Sequence, residues 1–280
     1  MHSHIQSRWV KLPWIQSLWH STWLIKISII LHVLILLGLL VTPHLWPWLL
    51  AVFMMNHLII ATVGLWPRSN WLGPNCTRLP IAAMNRNEIA LTIDDGPDAL
   101  VTPQVLEILD EYTVKATFFC IGDKAQQQPE LCREIIRRGH KIENHSQQHR
   151  HNFSLLGIAG FSREIEAAQQ TLLNITGTQA KFFRAPAGLR NPFLQPVLSR
   201  LGLTLASWSV RGFDTQVKDP EKVRHKLLAG LRAGAILLLH DGNAARTKEN
   251  IPVILAVLPA LLQAAKKQNL HFVTLQDATL

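Results

Sequence analysis

Cysteine is scarce in this chain of 280 residues: Cys76, Cys120 and Cys132 are the whole complement. They make neither a CxxC pair nor a disulfide framework, so they read as structural thiols and leave the redox compartment open. Also missing is a dense Lys/Arg run interleaved with aromatics, which sets nucleic acid aside as a partner despite a net charge of +9. Neither an internal repeat nor a low-complexity tract is found. Charge is nearly absent from two stretches. Residues 24–41, "LIKISIILHVLILLGLLV", carry one Lys, and residues 48–66, "WLLAVFMMNHLIIATVGLW", carry none. No small-x-small cleavage site follows the first run, which argues against a removable leader.

Each run has the length of a bilayer-crossing helix, about 20 residues. Trp19, Trp23, Trp46, Trp48 and Trp66 flank the runs as an aromatic belt would. The chain is therefore expected to comprise an N-terminal segment (1–23), a membrane hairpin (24–66, with spans 24–42 and 47–66), a linker (67–86) and a main domain (87–280). Arg8, Lys11 and Lys26 precede the hairpin, and Arg68, Arg78 and Arg86 follow it. The positive-inside rule places both flanks in the cytoplasm, whereas an interfacial second run would put the main domain on the other side. The basic balance suits anionic headgroups or an anionic, lipid-phosphate-linked substrate.

From Glu88 onward short apolar runs alternate with amphipathic patterns. Strands are expected at "EIALTID", "KATFFCIG", "HKIEN", "AKFFRA", "LTLASWSV", "GAILLLHD" and "LHFVTL", with helical patterns such as "TPQVLEILDEY" and "FSREIEAAQQTLLNITG" between them. This order predicts parallel crossover units: an α/β fold, a distorted or incomplete (β/α) barrel, with a doubly wound sheet as the alternative. Asp94, Asp95, His145, Arg184, Asp214 and His240 fall at or just beyond strand C-termini, the end of a parallel barrel where reacting groups gather.

An HxxxH such as "HSQQH" is by itself often accidental. Joined by one carboxylate of "LTIDDGPD", however, it supplies three donors and leaves open positions on a divalent metal. The second Asp can then serve as general base toward a water whose pKa the metal lowers from about 15.7 to roughly 7. Arg184 in "FFRAPAGL" sits among apolar residues, so its guanidinium needs a carboxylate. Asp214 in "RGFDT" can orient His240 of "LLLHD" and keep it protonated as a general acid. Two His and one carboxylate also serve iron oxygenases; the adjacent Asp and the acid candidate favour hydrolysis.

Taken together, these motifs resemble the polysaccharide deacetylases of the NodB-homology type, carbohydrate esterase family four, over residues 87–280. The resemblance implies Asp94 as base, Asp95, His145 and His149 as metal ligands, Arg184 holding the base, His240 as acid, and Leu238 in the wall around the acetyl methyl. Pro186, Ala187 and Trp208 are candidates for the substrate side. Two motifs depart from the family pattern. "RAPAG" has Ala187 where RPPYG has Tyr, and "RGFDT" retains only the second Asp of DxxDW, as Asp214, with Arg211 and Thr215 in the other places. The implied protein is a metal-dependent deacetylase of an N-acetylated glycan or glycolipid in the bacterial cytoplasmic (inner) membrane, crossing it more than once. Its metal would be Zn, with Co and Ni as alternatives. Deacylation or deformylation of a lipid-linked amino sugar is a second reading, and a non-catalytic glycan-binding membrane protein a third.

Overall fold

The computed structural model describes residues 21–278. Arg8, Lys11 and Trp19, on which part of the flanking-charge and belt readings rests, lie outside the described residues. Two apolar helices come first, α1 (Trp23–Val41) and α2 (Trp46–Gly64), joined by a 3-10 turn at Pro43–Leu45. Both are long and apolar enough to cross a membrane. Pro47 is tolerated because a first-turn residue has no intrahelical acceptor for the N–H that proline lacks. Between the two helices a single polar pair is buried, Asn56 Nδ2 donating to Ser28 Oγ at 2.9 Å.

Eight strands form the remainder: β1 (Glu88–Gly96), β2 (Thr117–Cys120), β3 (Lys141–Asn144), β4 (Phe182–Phe183), β5 (Thr204–Leu205), β6 (Val210–Arg211), β7 (Ile236–His240) and β8 (His271–Phe272). All their pairings are parallel. The order is β5-β4-β3-β2-β1-β7-β6, with β8 also on β1, in a curled and incomplete barrel. Crossovers run through α3 (Ile81–Asn85) before β1, then α4 (Val101–Glu111), α5 (Gly122–Gln127), α6 (Pro129–Arg137), α7 (Ile158–Thr176), α8 (Leu194–Leu201), α9 (Pro220–Ala229) and α10 (Val253–Lys267), and α11 (Leu275–Ala278) ends the described chain.

Strand alternation divides the interior into two layers. Ile89, Leu91, Ile93, Phe118, Leu237 and Leu239 join the core beneath the helices. Ala90, Phe119, Phe182, Ile236 and Leu238 form the inner core. Being buried on both faces, the central strands read as continuous apolar runs. Polar inner positions are satisfied internally. Glu143 accepts from the backbone N–H groups of Lys181 at 2.8 Å and Phe182 at 2.7 Å, beside the short β3–β4 ladder. Burial outweighs these bonds and pushes its carboxyl up to about 7.

The expected single strand "LTLASWSV" is two strands, β5 and β6. The chain between them turns its backbone to another partner: Cys76 N donates to Leu205 O at 2.8 Å, and Ser207 N donates to Cys76 O at 2.9 Å. Leu79 N continues this path, donating to Gly234 O at 3.0 Å just before β7. A segment that precedes β1 thus lies across the opening of the barrel.

Candidate active site

Strand β1 delivers both carboxylates. Its alternation turns Ile93 outward, so Asp94 points into the barrel end, while Asp95 has left regular extended geometry, with φ 71°. Residues Ser146 (φ 64°) and His149 (φ 51°) share this left-handed conformation. Three non-glycine residues so placed in two short loops are backbone strain gathered at one site. Two glycines are required there by close approach. A Cβ on Gly242 would come within 2.1 Å of Asp95 O, and one on Gly96 within 2.4 Å of Asp241 Oδ1.

The first-motif and HSQQH residues converge. His145 Nε2 and His149 Nε2 each lie 3.2 Å from Asp95 Oδ1. One donor atom from each of the three residues falls within 4.8 Å of the others. Ligands at 2.0–2.2 Å around a tetrahedral ion are separated by about 3.3–3.5 Å, so this spacing fits a single small cation. Protonation suits it too. His145 Nδ1–H donates to the Arg184 carbonyl at 2.8 Å, which leaves Nε2 with its lone pair toward the cluster. Burial, aided by His145, pushes His149 down to about 4, a neutral imidazole. Burial opposes charge on Asp95, but when the cluster holds protons in place of a cation, a hydrogen bond from His145 and the neighbouring His charges hold its carboxyl well below the usual range.

Asp94 stands beside this trio without joining it, Oδ2 lying 3.8 Å from His145 Nε2. Its other oxygen accepts from Arg184 at 2.6 Å. Arg184 is fully buried, and its remaining donors go to Thr92 Oγ1 (2.8 Å), Ala206 O (3.1 Å) and Ser207 O (2.9 Å). Its guanidinium carbon lies 4.0 Å from the Phe119 ring centroid. Four of its five N–H donors are thus placed, which is how a planar cation is held in an apolar barrel.

His240 ends β7 and donates through Nδ1 to Asp214 Oδ1 at 2.9 Å, while its backbone N–H reaches Asp214 Oδ2 at 2.7 Å. Asp214 therefore fixes both the position and the tautomer of the ring. Burial lowers the His240 pKa, but Asp214, with Asp94 and Asp95 beyond it, outweighs this and leaves it raised. Asp214→Asn removes the nearest of those charges. It is expected to shift the alkaline limb of the kcat/KM–pH profile toward lower pH, because the protonated form of His240 is then lost sooner; a full pH profile checks this.

Of the candidates for the substrate side, Ala187 is exposed and left-handed (φ 54°), and Pro186 beside it is buried. Leu238 and Trp208 are 1% and 7% exposed and lie in the inner core, behind the site. Sequence reasoning missed several supporting groups. Asn243 Nδ2 donates to Asp95 Oδ2 at 3.2 Å, and Lys124 Nζ to Asp95 O at 2.8 Å. Glu164 holds the HSQQH loop by accepting from Gln148 N at 2.9 Å and pairing with Arg150 at 3.0 Å. Asp241 accepts from Thr102 Oγ1 at 2.5 Å and Gly242 N at 2.9 Å, and burial pushes it up to about 7. The stretch "HDGN" was the available signal for two of these groups.

A parallel barrel with three side chains able to hold a cation at the C-terminal ends of its strands, an arginine-paired carboxylate beside them and an imidazole oriented by Asp214 has the parts of a hydrolytic deacylase. Residues 82–206 match the family model described as polysaccharide deacetylase. A chitooligosaccharide deacetylase of Azorhizobium caulinodans is 39% identical over 56% of this chain and 75% of its own length. A peptidoglycan-N-acetylglucosamine deacetylase of Bacillus cereus is 30% identical over 69% of this chain and 88% of its own. Among solved structures, the family 4 carbohydrate esterase from Streptomyces lividans in complex with acetate superposes with a TM-score of 0.60 at 31% identity, covering 66% of this chain and 91% of that one. The chain belongs to the polysaccharide deacetylase family, and it is a hydrolase acting on carbon–nitrogen bonds other than peptide bonds.

Proposed function

We propose that the chain removes the N-acetyl group from an amino sugar of a glycan, using Asp95, His145 and His149 to hold one divalent ion, zinc by preference. A zinc ion bound there supplies Lewis-acid polarisation and a lowered pKa for water. Asp94, aimed by Arg184, takes the proton from the attacking water. The backbone near Ala187 offers its N–H to the developing oxyanion. His240, with Nδ1 committed to Asp214, gives the proton on Nε2 to the leaving nitrogen. Acetate and a free amine result. The observation that carries this reading is the division of labour between adjacent carboxylates: Asp95 meets both histidines at 3.2 Å, and Asp94 meets Arg184 at 2.6 Å.

Acetate release from chitooligosaccharides and peptidoglycan fragments tests the activity. Chelation is expected to abolish it and zinc to restore it; release that survives exhaustive chelation sinks the metal role. A second readout is independent of turnover. Zinc at a hundredfold excess over Kd is expected to stabilise the fold by about 2.7 kcal/mol, and His145→Ala to remove that gain, as followed by thermal unfolding.

The same reading takes α1 and α2 as a membrane anchor hairpin, residues 67–86 as the connection and 87–280 as the catalytic domain. Two helices of sufficient length and apolarity support it.

A further inference from the structure

The end of α2 does not merely lead into the catalytic domain. It is bonded to the loop that carries Ala187. Arg190 N donates to Gly64 O at 3.2 Å, and the Arg190 guanidinium bonds Ser69 O. Ser207 Oγ donates to Pro67 O at 2.8 Å. Gly188 packs so tightly on Pro67 that a Cβ there would come within 2.7 Å of the proline ring. At the same junction the last turns of α2 and the following residues enclose an apolar groove of about 350 Å³, lined by Leu58, Ile59, Thr62, Val63, Trp66 and Trp71. Between the two tryptophans in sequence stands Arg68. It is exposed, its one hydrogen bond goes to Ser209 O at 3.2 Å, and it has no carboxylate partner among the described residues.

Arg68 stands in sequence between the groove residues Trp66 and Trp71, and its bond to Ser209 O, with the Pro67 contacts to Ser207 and Gly188, ties this junction to the Ala187 loop. An amphiphile whose sugar occupied the site would bring its anion and its hydrocarbon to this junction. The charge pattern agrees. The first 87 residues contain six Lys or Arg and no Asp or Glu, and Arg68 pairs with no carboxylate among the described residues. Two tryptophans at the helix exit suit the boundary between headgroups and acyl chains.

We propose that the groove and Arg68 receive the lipid and phosphate of the substrate itself, so that the amino sugar deacylated by this chain is one carried on a membrane lipid phosphate. This rests on the deacetylase reading and on the hairpin as a membrane anchor. The phosphate is bound by Arg68 as a charge-assisted contact, and the first carbons of the lipid lie between Trp66 and Trp71.

Two measurements on the full chain in detergent micelles test it. The first compares kcat/KM for N-acetylglucosaminyl phosphate esterified to geranylgeraniol with that for its methyl ester. A preference of a hundredfold or more for the lipid ester is expected, falling at least tenfold in Arg68→Glu and in the groove-filling Thr62→Trp. Equal turnover of the two esters, or a preference untouched by both substitutions, overturns the proposal. The second needs no turnover: quenching of tryptophan fluorescence by geranylgeranyl phosphate, with geranylgeraniol, inorganic phosphate and phosphatidylglycerol as comparisons. Saturable binding of geranylgeranyl phosphate alone, lost in Arg68→Glu, supports the site. Equal binding of phosphatidylglycerol marks a bulk-lipid contact and overturns it, as does no binding at all. Should neither ester be cleaved while this binding holds, the deacetylase reading fails and the lipid-phosphate site stands.

Discussion

Asp94→Asn is expected to lower kcat by about two to four orders of magnitude, the usual contribution of a positioned general base. Asparagine keeps the size of the side chain and can still accept from Arg184, whose bond to Asp94 Oδ1 is 2.6 Å. What it loses is the basic oxygen that faces the cation site. Zinc content should therefore remain near one per chain, because Asp95, His145 and His149 are untouched. Single-turnover kinetics paired with metal analysis decides the matter. Near-normal turnover would show that another group takes the proton, and lost zinc would show that Asp94 is itself a ligand.

Arg184→Met is expected to cost both stability and activity. The guanidinium is the largest fully buried side chain of the domain and closes four hydrogen bonds in the barrel interior. Removing it leaves Asp94 as an uncompensated charge at 3% exposure. Breaking a buried pair in this way costs about 3–5 kcal/mol. Denaturant unfolding of the two proteins measures it. A second substitution separates this effect from simple loss of packing: adding Asp94→Asn removes the stranded charge, so the double variant should recover part of the lost stability. An unchanged deficit in the double variant would mean that packing, not charge, is what Arg184 contributes.

The convergence of these side chains is legible in the sequence because chain direction sorts them. Parallel strands that read as apolar runs must end somewhere polar, and the polar residues at those ends were Asp94, Asp95, His145, Arg184 and His240. Asp214 illustrates the limit of motif reading. Its surroundings depart from the family pattern, with Arg211 and Thr215 in the flanking places, yet the side chain meets His240 by ring and backbone at 2.9 and 2.7 Å. Geometry at this position depends on where a loop turns, which local sequence does not encode. Strand lengths were obscured for the same reason. "LTLASWSV" has the composition of one strand, and only the arrival of Cys76 from outside the repeating pattern divides it. Left-handed backbone at Asp95, Ser146 and His149 was also invisible, since none of these is glycine; it is the closure of the two loops onto each other that imposes it. Trp208, a candidate for the substrate side, is 7% exposed, with the Arg184 guanidinium carbon 5.9 Å from its ring centroid.

The backbone bonds from Cys76 to Leu205 and Ser207, and from Leu79 to Gly234, bear on where this protein can be cut. An excision made at Glu88, where the first strand opens, would strip three main-chain partners from the barrel seam and leave its edges bare to pair with a second molecule. A scissile point upstream of Pro67 keeps the seam shut and also keeps the partners of Asn75, Arg190 and Ser207, so a self-sufficient fragment starts about twenty residues ahead of the first strand.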